Sequence, residues 1–500
     1  MKHIMKHILS WMTLIFFVTT ISAYGADLYV GAVSVDISPE QSAVLAGQFH
    51  PRPSTGVQYP VTLNILALET RDGDASLDSA LFVSMDTVVM RGQALLDFRQ
   101  TIATVLPEFD IEKVLFSATH THSAPTLDNN SYPRVEGTIL PSDYVKFVCD
   151  KLGPAALEAW NCRQKASFSF GLGHAVVAYN RRAVYADGHA VMYGNTNDPS
   201  FRAIEGMEDH DIGSIFFWDQ NDKLLAIIVN VACPSQEVEN ELLVSADYWG
   251  PVRNNLRKQF GDDLVVVGLC GEAGDMSPHI RYRAAADERM RTLRNLSRLE
   301  EIARRITCAV EEAYDVVQND KNSNVVLAHR YATLDLPMRL VTDAEYELCK
   351  AEWERRKDNP NDGQAAWNAR IVRRYEMQKE NPNPTFKTPI NVLRLGDCVL
   401  CFNQFEYYTD FGIQIKARSK AVQTFVVQLT NGAKEPKPAD EDGLDAYKDW
   451  SAMSGGTYLP SQRAKEGGGY GAVIQSNTVG PEGGQIIVEE TLKIINDLWQ

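Results

Sequence analysis

The chain has 500 residues, of which 44% are apolar and 23% charged, and it carries a formal net charge of -16 at pH 7. That length suits one large or two medium domains, and the apolar share is ample for a packed core, so the disordered and fibrous classes are excluded. The negative balance argues against nucleic acid, whose phosphates demand a basic face, and gives no help at an anionic membrane; it reads as solubility.

The chain begins with a basic stretch (Lys2, His3, Lys6, His7). An apolar run from Leu9 to Ile21 follows, and then the small-residue segment Ser22-Ala23-Tyr24-Gly25-Ala26. This order predicts a secretory signal over residues 1–25, leaving 26–500 as the mature part. About 13 apolar residues are too few to span a bilayer. No later segment is long and apolar enough either, so a secreted or periplasmic protein with no transmembrane segment after signal removal is expected.

Strand-like runs then recur at Leu28–Val35, Leu63–Leu68, Ala80–Ser84, Val114–Ser117, Ile215–Trp218, Leu224–Val231, Leu264–Leu269, Asn324–His329, Ile390–Phe402 and Thr424–Leu429. Helices are expected at Ala94–Val105, Asp143–Trp160 and about Gly484–Leu498. Leu299, Ile302, Ile306, Ala309, Ala313 and Val316 mark one face of a further long helix at spacings of three and four. The mixture predicts an α/β fold: mixed, partly parallel sheets with flanking helices, as one large catalytic unit. Residues 342–380 read as an inserted helical hairpin, opened by the capping-box pair Thr342 and Glu345. Trp367, Ile371 and Tyr375 share one side of its second helix. The hairpin is either a cap over a site or a solvated decoration. Residues 433–456 form a second, polar insertion. The eight cysteines sit mostly in apolar runs and are expected as buried thiols. Cys398 and Cys401 have CxxC spacing but lie in a strand-like run, where a separation of three puts them on opposite faces.

Three strand ends run into polar residues. Leu81-Phe82-Val83-Ser84-Met85 ends at Asp86. Val114-Leu115-Phe116 leads to His120 and His122, which extended backbone would place on one face. Val265 to Leu269 leads to Gly271-Glu272-Ala273-Gly274-Asp275-Met276-Ser277-Pro278-His279. Ligands bind at the carboxyl ends of parallel strands, so neighbouring parallel strands would bring these clusters together. Two adjacent imidazoles grip a metal or move protons. Each signal alone has a bland alternative: Asp86 as a helix cap, the Gly-rich stretch as a turn, and Ser277 as a turn residue, since it lacks a nucleophile-elbow context.

Taken in order, GAVSVDISP, LFVSMD, SATHTHSAP, YNRR, VNVAC, VSADYWG, GEAGDMSP, LRLGD, the Glu406 segment and YLPS make the chain from about Gly31 onward resemble the neutral (non-lysosomal) ceramidase-like family. The resemblance implies a zinc-dependent amide hydrolase. It carries metal ligation onto His120, Glu406 and Tyr458, and a role in activity onto Ser277 and His122. By the same reading His122 shuttles protons, Asp86 orients a ligand histidine, and Ser277 and Arg182 bind the polar groups of the substrate. The family's second histidine ligand is absent here: after Asn230-Val231-Ala232-Cys233 the chain has Pro234-Ser235-Gln236. Zinc sites generally use three protein ligands and an open position, so three remain, with Cys233, Gln236 or His279 as candidate substitutes. The substrate is expected to be a small molecule, lipid or glycan. Alternatives are a hydrolase of the same fold acting on a glycan or other polar extracellular compound, and a metal-free binding relative.

Overall fold

The computed structural model describes residues 25–129, 131–359, 363–432 and 457–500. Nearly all of the expected signal and the whole polar insertion 433–456 lie outside the described residues. Among the described residues, no helix is long and apolar enough to cross a membrane.

The larger sheet is built on strands β1 (Ala26–Asp36), β2 (Thr62–Asp72), β3 (Ala75–Met85), β4 (Val114–Ala118), β5 (Gln164–His174), β6 (Asp211–Asp219), β7 (Leu224–Val231) and β8 (Val265–Cys270). Their spatial order is β8-β7-β6-β5-β1-β2-β3-β4. Along that path β3–β4 and β7–β8 pair parallel, and the other pairs are antiparallel. Side chains alternate faces along each strand. On β2, Leu63, Ile65 and Ala67 join one core, while Leu66 and Leu68 join another.

The first core is roofed by helices α1 (Gly92–Val105), α2 (Pro141–Asn161), α3 (Trp249–Phe260) and α4 (Arg298–Val317). Ser297 and Glu300 close a capping box on α4, satisfying two backbone donors at its start. Leu299, Ile302, Ile306, Ala309 and Ala313 are buried as expected, but Val316 is 75% exposed. A step of four from Ala313 puts Val317 on the stripe instead, and it packs against the core.

The second core lies between the large sheet and a four-stranded one, made of β9 (Leu327–Pro337), β10 (Thr385–Leu395), β11 (Cys398–Phe402) and β13 (Gln423–Val427). The expected single run Ile390–Phe402 is therefore a hairpin: Gly396 takes φ 58, a left-handed turn that glycine adopts without strain, and the chain reverses there. Cys398 points into the second core and Cys401 into a third. All eight cysteines are free. The third core lies under α7 (Thr409–Arg418) and α8 (Pro481–Leu498), on the outer face of the smaller sheet. The result is four layers, helices–sheet–sheet–helices.

The insertion forms α5 (Asp343–Arg356), with its Thr342–Glu345 capping box, and α6 (Gly363–Glu380). It is docked, not solvated. Val341, Cys349, Ile371, Val372 and Ile474 make a small core of their own. Arg374 donates to the carbonyls of Asn477 and Thr478, and Arg370 to that of Gln475.

Strand order in the sheet alone would keep the β4 and β8 ends apart, because they are its opposite edges. One segment joins them. Gln428 N donates to Cys270 O at the end of β8, Ala118 N donates to Leu429 O, and Asn431 N donates to Phe116 O in β4. Ser84 Oγ on β3 also donates to Gly268 O on β8, 2.6 Å away. Residues 428–431 thus stitch the two edges together and bring the His-Thr-His and Gly-Glu-Ala-Gly-Asp segments to one place.

Candidate active site

β4 stops at Ala118, and His120 sits at φ 62, in the left-handed region. The two histidines are therefore not on extended backbone as expected, although their rings still meet. The centroids lie 4.8 Å apart with planes at 88°, and the Nε2 atoms are 3.4 Å apart. A non-glycine residue in this region costs of order 1–3 kcal/mol and marks a place where surrounding contacts over-determine the chain. Those contacts are visible: Thr119 N donates to Met85 O, His122 N donates to Ser235 O, and Arg52 donates to the His122 carbonyl.

His120 Nδ1 lies 2.6 Å from the Val88 carbonyl. A carbonyl only accepts, so Nδ1 carries the hydrogen and Nε2 presents a lone pair. That lone pair faces Glu406 Oε1 at 3.2 Å. His122 Nδ1 lies 2.9 Å from Glu239 Oε2, off the line of a straight hydrogen bond. The carboxylate still favours a hydrogen on Nδ1, which leaves Nε2 of His122 with a lone pair too.

Glu406 and Tyr458 arrive together for a simple reason. The short strands β12 (Glu406–Tyr407) and β14 (Tyr458–Leu459) pair parallel, with Glu406 opposite Tyr458, so both side chains leave the ladder on one side. Thr457 donates its hydroxyl to Glu406. Burial alone would raise the Glu406 carboxyl. When His120 Nε2 carries a proton, its hydrogen bond and charge, with the Thr457 hydroxyl and the Arg181 charge, outweigh burial and hold the group at about 2. Burial, then the Glu406 charge, pushes the Tyr458 phenol well above its usual range. Burial pulls His122 down, against the opposing pull of Glu239.

Arg181 organises the other wall. It donates to Tyr458 Oη (3.1 Å), Gly274 O (2.9 Å), Tyr193 Oη (3.1 Å) and Gln236 Oε1 (3.4 Å). Gln236 donates to Tyr193 Oη, which donates to Ser277 Oγ at 3.2 Å. Ser277 Oγ also accepts from His279 N, so its own hydrogen is left to donate. His279 Nδ1 lies 3.9 Å from Glu239 Oε1.

His120, His122, Glu406 and Tyr458 therefore meet as the sequence led one to expect, and Ser277 is linked to them through Arg181 and Tyr193. Two residues are placed elsewhere. Arg182 is fully buried and spends its donors on Glu205 and on the carbonyls of Ala464, Gly468 and Tyr470, bracing that loop. Neighbours on extended backbone point to opposite sides, so Arg181 faces the site instead. Asp86 does not reach a ligand histidine. It forms a buried pair with Arg253 (2.6 and 3.0 Å) and accepts from Thr62 and Thr119, while the Val88 carbonyl does the orienting. Of the candidate substitutes for the missing histidine, Cys233 is buried with its thiol toward the Val177 and Pro234 carbonyls, and Gln236 is tied to Arg181 and Tyr193. Glu239, which the sequence reading missed, is what the loop after β7 delivers to the site. A single glutamate in an irregular loop carries no periodic signal.

The donor set suits a divalent cation such as zinc. Lone pairs of His120 Nε2, His122 Nε2 and Glu406 Oε1 face one another at 3.4 and 3.2 Å, repelling unless a proton or metal lies among them. Ligand atoms about 2.0–2.1 Å from a tetrahedral zinc stand roughly 3.3 Å apart, which the 3.2 Å between His120 Nε2 and Glu406 Oε1 matches. Among the described residues no three His, Cys, Asp or Glu side chains are closed around one point.

No family model matches the sequence, and no curated protein matches it. Two solved structures are similar in fold. The neutral ceramidase of Pseudomonas aeruginosa superposes with a TM-score of 0.61 at 15% identity, covering 94% of this chain and 75% of that one. A ceramidase complexed with C2 gives 0.64 at 14%, covering 95% and 75%. The chain has a ceramidase-like fold.

Proposed function

We propose that this chain is an exported, metal-dependent hydrolase of an amide or similar bond, with zinc as the metal. The observation that carries the reading is the set of facing lone pairs on His120, His122 and Glu406 beside Tyr458. The ceramidase-like fold supports an amide as the bond class.

His120, Glu406 and Tyr458 would hold the zinc, which when bound supplies Lewis acidity toward the substrate carbonyl. The Val88 carbonyl keeps His120 in the tautomer that frees Nε2. His122, with Glu239 at Nδ1, presents Nε2 to the reaction space, where it accepts a proton from the attacking water and returns it to the leaving group. Arg181 keeps net positive charge beside Tyr458 and fixes Tyr193 and Gln236. Ser277 donates its free hydrogen to a polar group of the substrate. The substrate class, small molecule, lipid or glycan, is tested by assaying a ceramide beside a panel of N-acylated and glycosidic compounds, with His120→Ala and Glu406→Gln as controls. Release of amine from an amide by the wild type and its loss in both variants supports the reading; full activity in His120→Ala refutes it.

A further inference from the structure

Beyond Tyr458 the site has an aromatic side that the proposed chemistry does not use. Tyr458 meets Tyr470 edge to face, with centroids 5.4 Å apart. Tyr470 stacks parallel on Trp367, 6.0 Å away with planes 4° apart. Phe49 meets both edge-on, at 5.4 and 5.6 Å. The four rings run outward from the reaction centre. Tyr458 is 8% exposed and Phe49 is 74% exposed.

Each ring is anchored. Gly47 lies flat against His122, so closely that a Cβ there would stand 2.5 Å from the imidazole Cγ. Arg52 ties the same loop to the His122 and Ala46 carbonyls, and Tyr132 donates to Gln48 O. Phe49 is thereby fixed at the rim of the site. Trp367 comes from the inserted hairpin, whose arginines grip residues 475–478. Asn477 in that segment donates to the carbonyls of Tyr458 and Gly471. The insertion is thus bolted to the strand that carries Tyr458 and to the loop that carries Tyr470.

We propose that Phe49, Trp367 and Tyr470 form a stacking subsite for a sugar ring, and that the substrate is an N-acylated amino sugar whose amide lies between His120 and Ser277. The proposal rests on the hydrolase reading for the position of the amide. An aromatic face matches the C–H face of a pyranose, and polar groups of the site remain for its hydroxyls: the free hydrogen of Ser277, and Glu239 and His279, whose mutual contact is 3.9 Å long. An alkyl chain would leave the Ser277 hydrogen without a partner, at a cost in binding. The Trp367–Tyr470 pair is too close to admit a ring between its members, so the sugar lies on the exposed Phe49 ring beside that pair.

The test is calorimetry and saturation-transfer NMR on the full chain in a chelator, so that binding is read without turnover. The probes are N-acetylated chitotriose, a panel of other neutral oligosaccharides, and N-acetylsphingosine in detergent micelles. An N-acetylated oligosaccharide binds saturably, with saturation passing to its ring protons. Trp367→Ala and Phe49→Ala each weaken it about tenfold or more, and Trp367→Phe stays within about threefold. Overturning results are binding of no sugar, binding of the micellar lipid alone, or an unchanged affinity in Trp367→Ala. A protein that cleaves amides but ignores sugars loses this inference alone. One that binds sugars but cleaves nothing loses the hydrolase reading and the placement of the amide, and keeps the stacking subsite.

Discussion

Removing the Asp86 carboxylate should unfold the corner that holds His120. Asp86 is fully buried and Arg253 is 2% exposed. The carboxylate takes two bonds from that guanidinium, two from Thr62 and one from the Thr119 hydroxyl. Asp86→Ala leaves a buried guanidinium without its counter-charge, which costs about 3–5 kcal/mol. That is roughly a hundred- to several-thousand-fold in the folded-to-unfolded ratio. Urea titration followed by near-ultraviolet circular dichroism measures it. The double variant Asp86→Ala/Arg253→Met should be less destabilised than the sum of the singles, by about 2 kcal/mol or more, because replacing both partners removes the stranded charge. Since Thr119 precedes His120, metal affinity should fall with stability in Asp86→Ala. A cost below about 1 kcal/mol, or strict additivity in the double variant, would refute this account of how the corner is held.

Other outcomes follow from the same geometry. Gly47→Ala should push His122 aside, because the new Cβ would meet the imidazole and φ is +97; activity falls steeply while bound zinc is retained. Arg181→Met should lower kcat/KM by about a hundredfold or more with zinc content kept, as expected when a buried donor beside the reacting group is lost. His329 is buried with its ring beside Asn391, and burial pulls it down to about 4. Its folded value lies below the unfolded one, so its contribution is full above about 6.5 and is lost as pH falls through about 4, roughly 3 kcal/mol in all. His329→Gln should flatten that limb of a stability–pH curve; an unchanged acid limb would mean His329 is not its source.

Much of this was legible in the chain. The His-Thr-His pair, Glu406, Tyr458 and Ser277 sit in local patterns, and the structure gathers them. What escaped the sequence did so for physical reasons. The faces of Arg181 and Arg182 depend on the phase of a two-residue alternation that the YNRR motif does not reveal. Glu239 lies in an irregular loop, where no periodicity singles it out. The break at Gly396 is one residue in an apolar run. The meeting of the two sheet edges depends on residues 428–431, more than 150 positions from either partner, and on backbone bonds that any sequence can make. The left-handed turn at His120 is imposed by tertiary bonds, against the intrinsic preference of the residue.

The central claim is that His120, Glu406 and Tyr458 hold a metal that the reaction needs. Elemental analysis of the full chain purified without chelators, beside His120→Ala and Glu406→Gln, tests it most directly. The account predicts close to one equivalent of zinc in the wild type and under about a tenth in either variant, since protein zinc sites bind tightly. Less than about a tenth of an equivalent of any transition metal in the wild type after dialysis against zinc, or full metal content in His120→Ala, would contradict it.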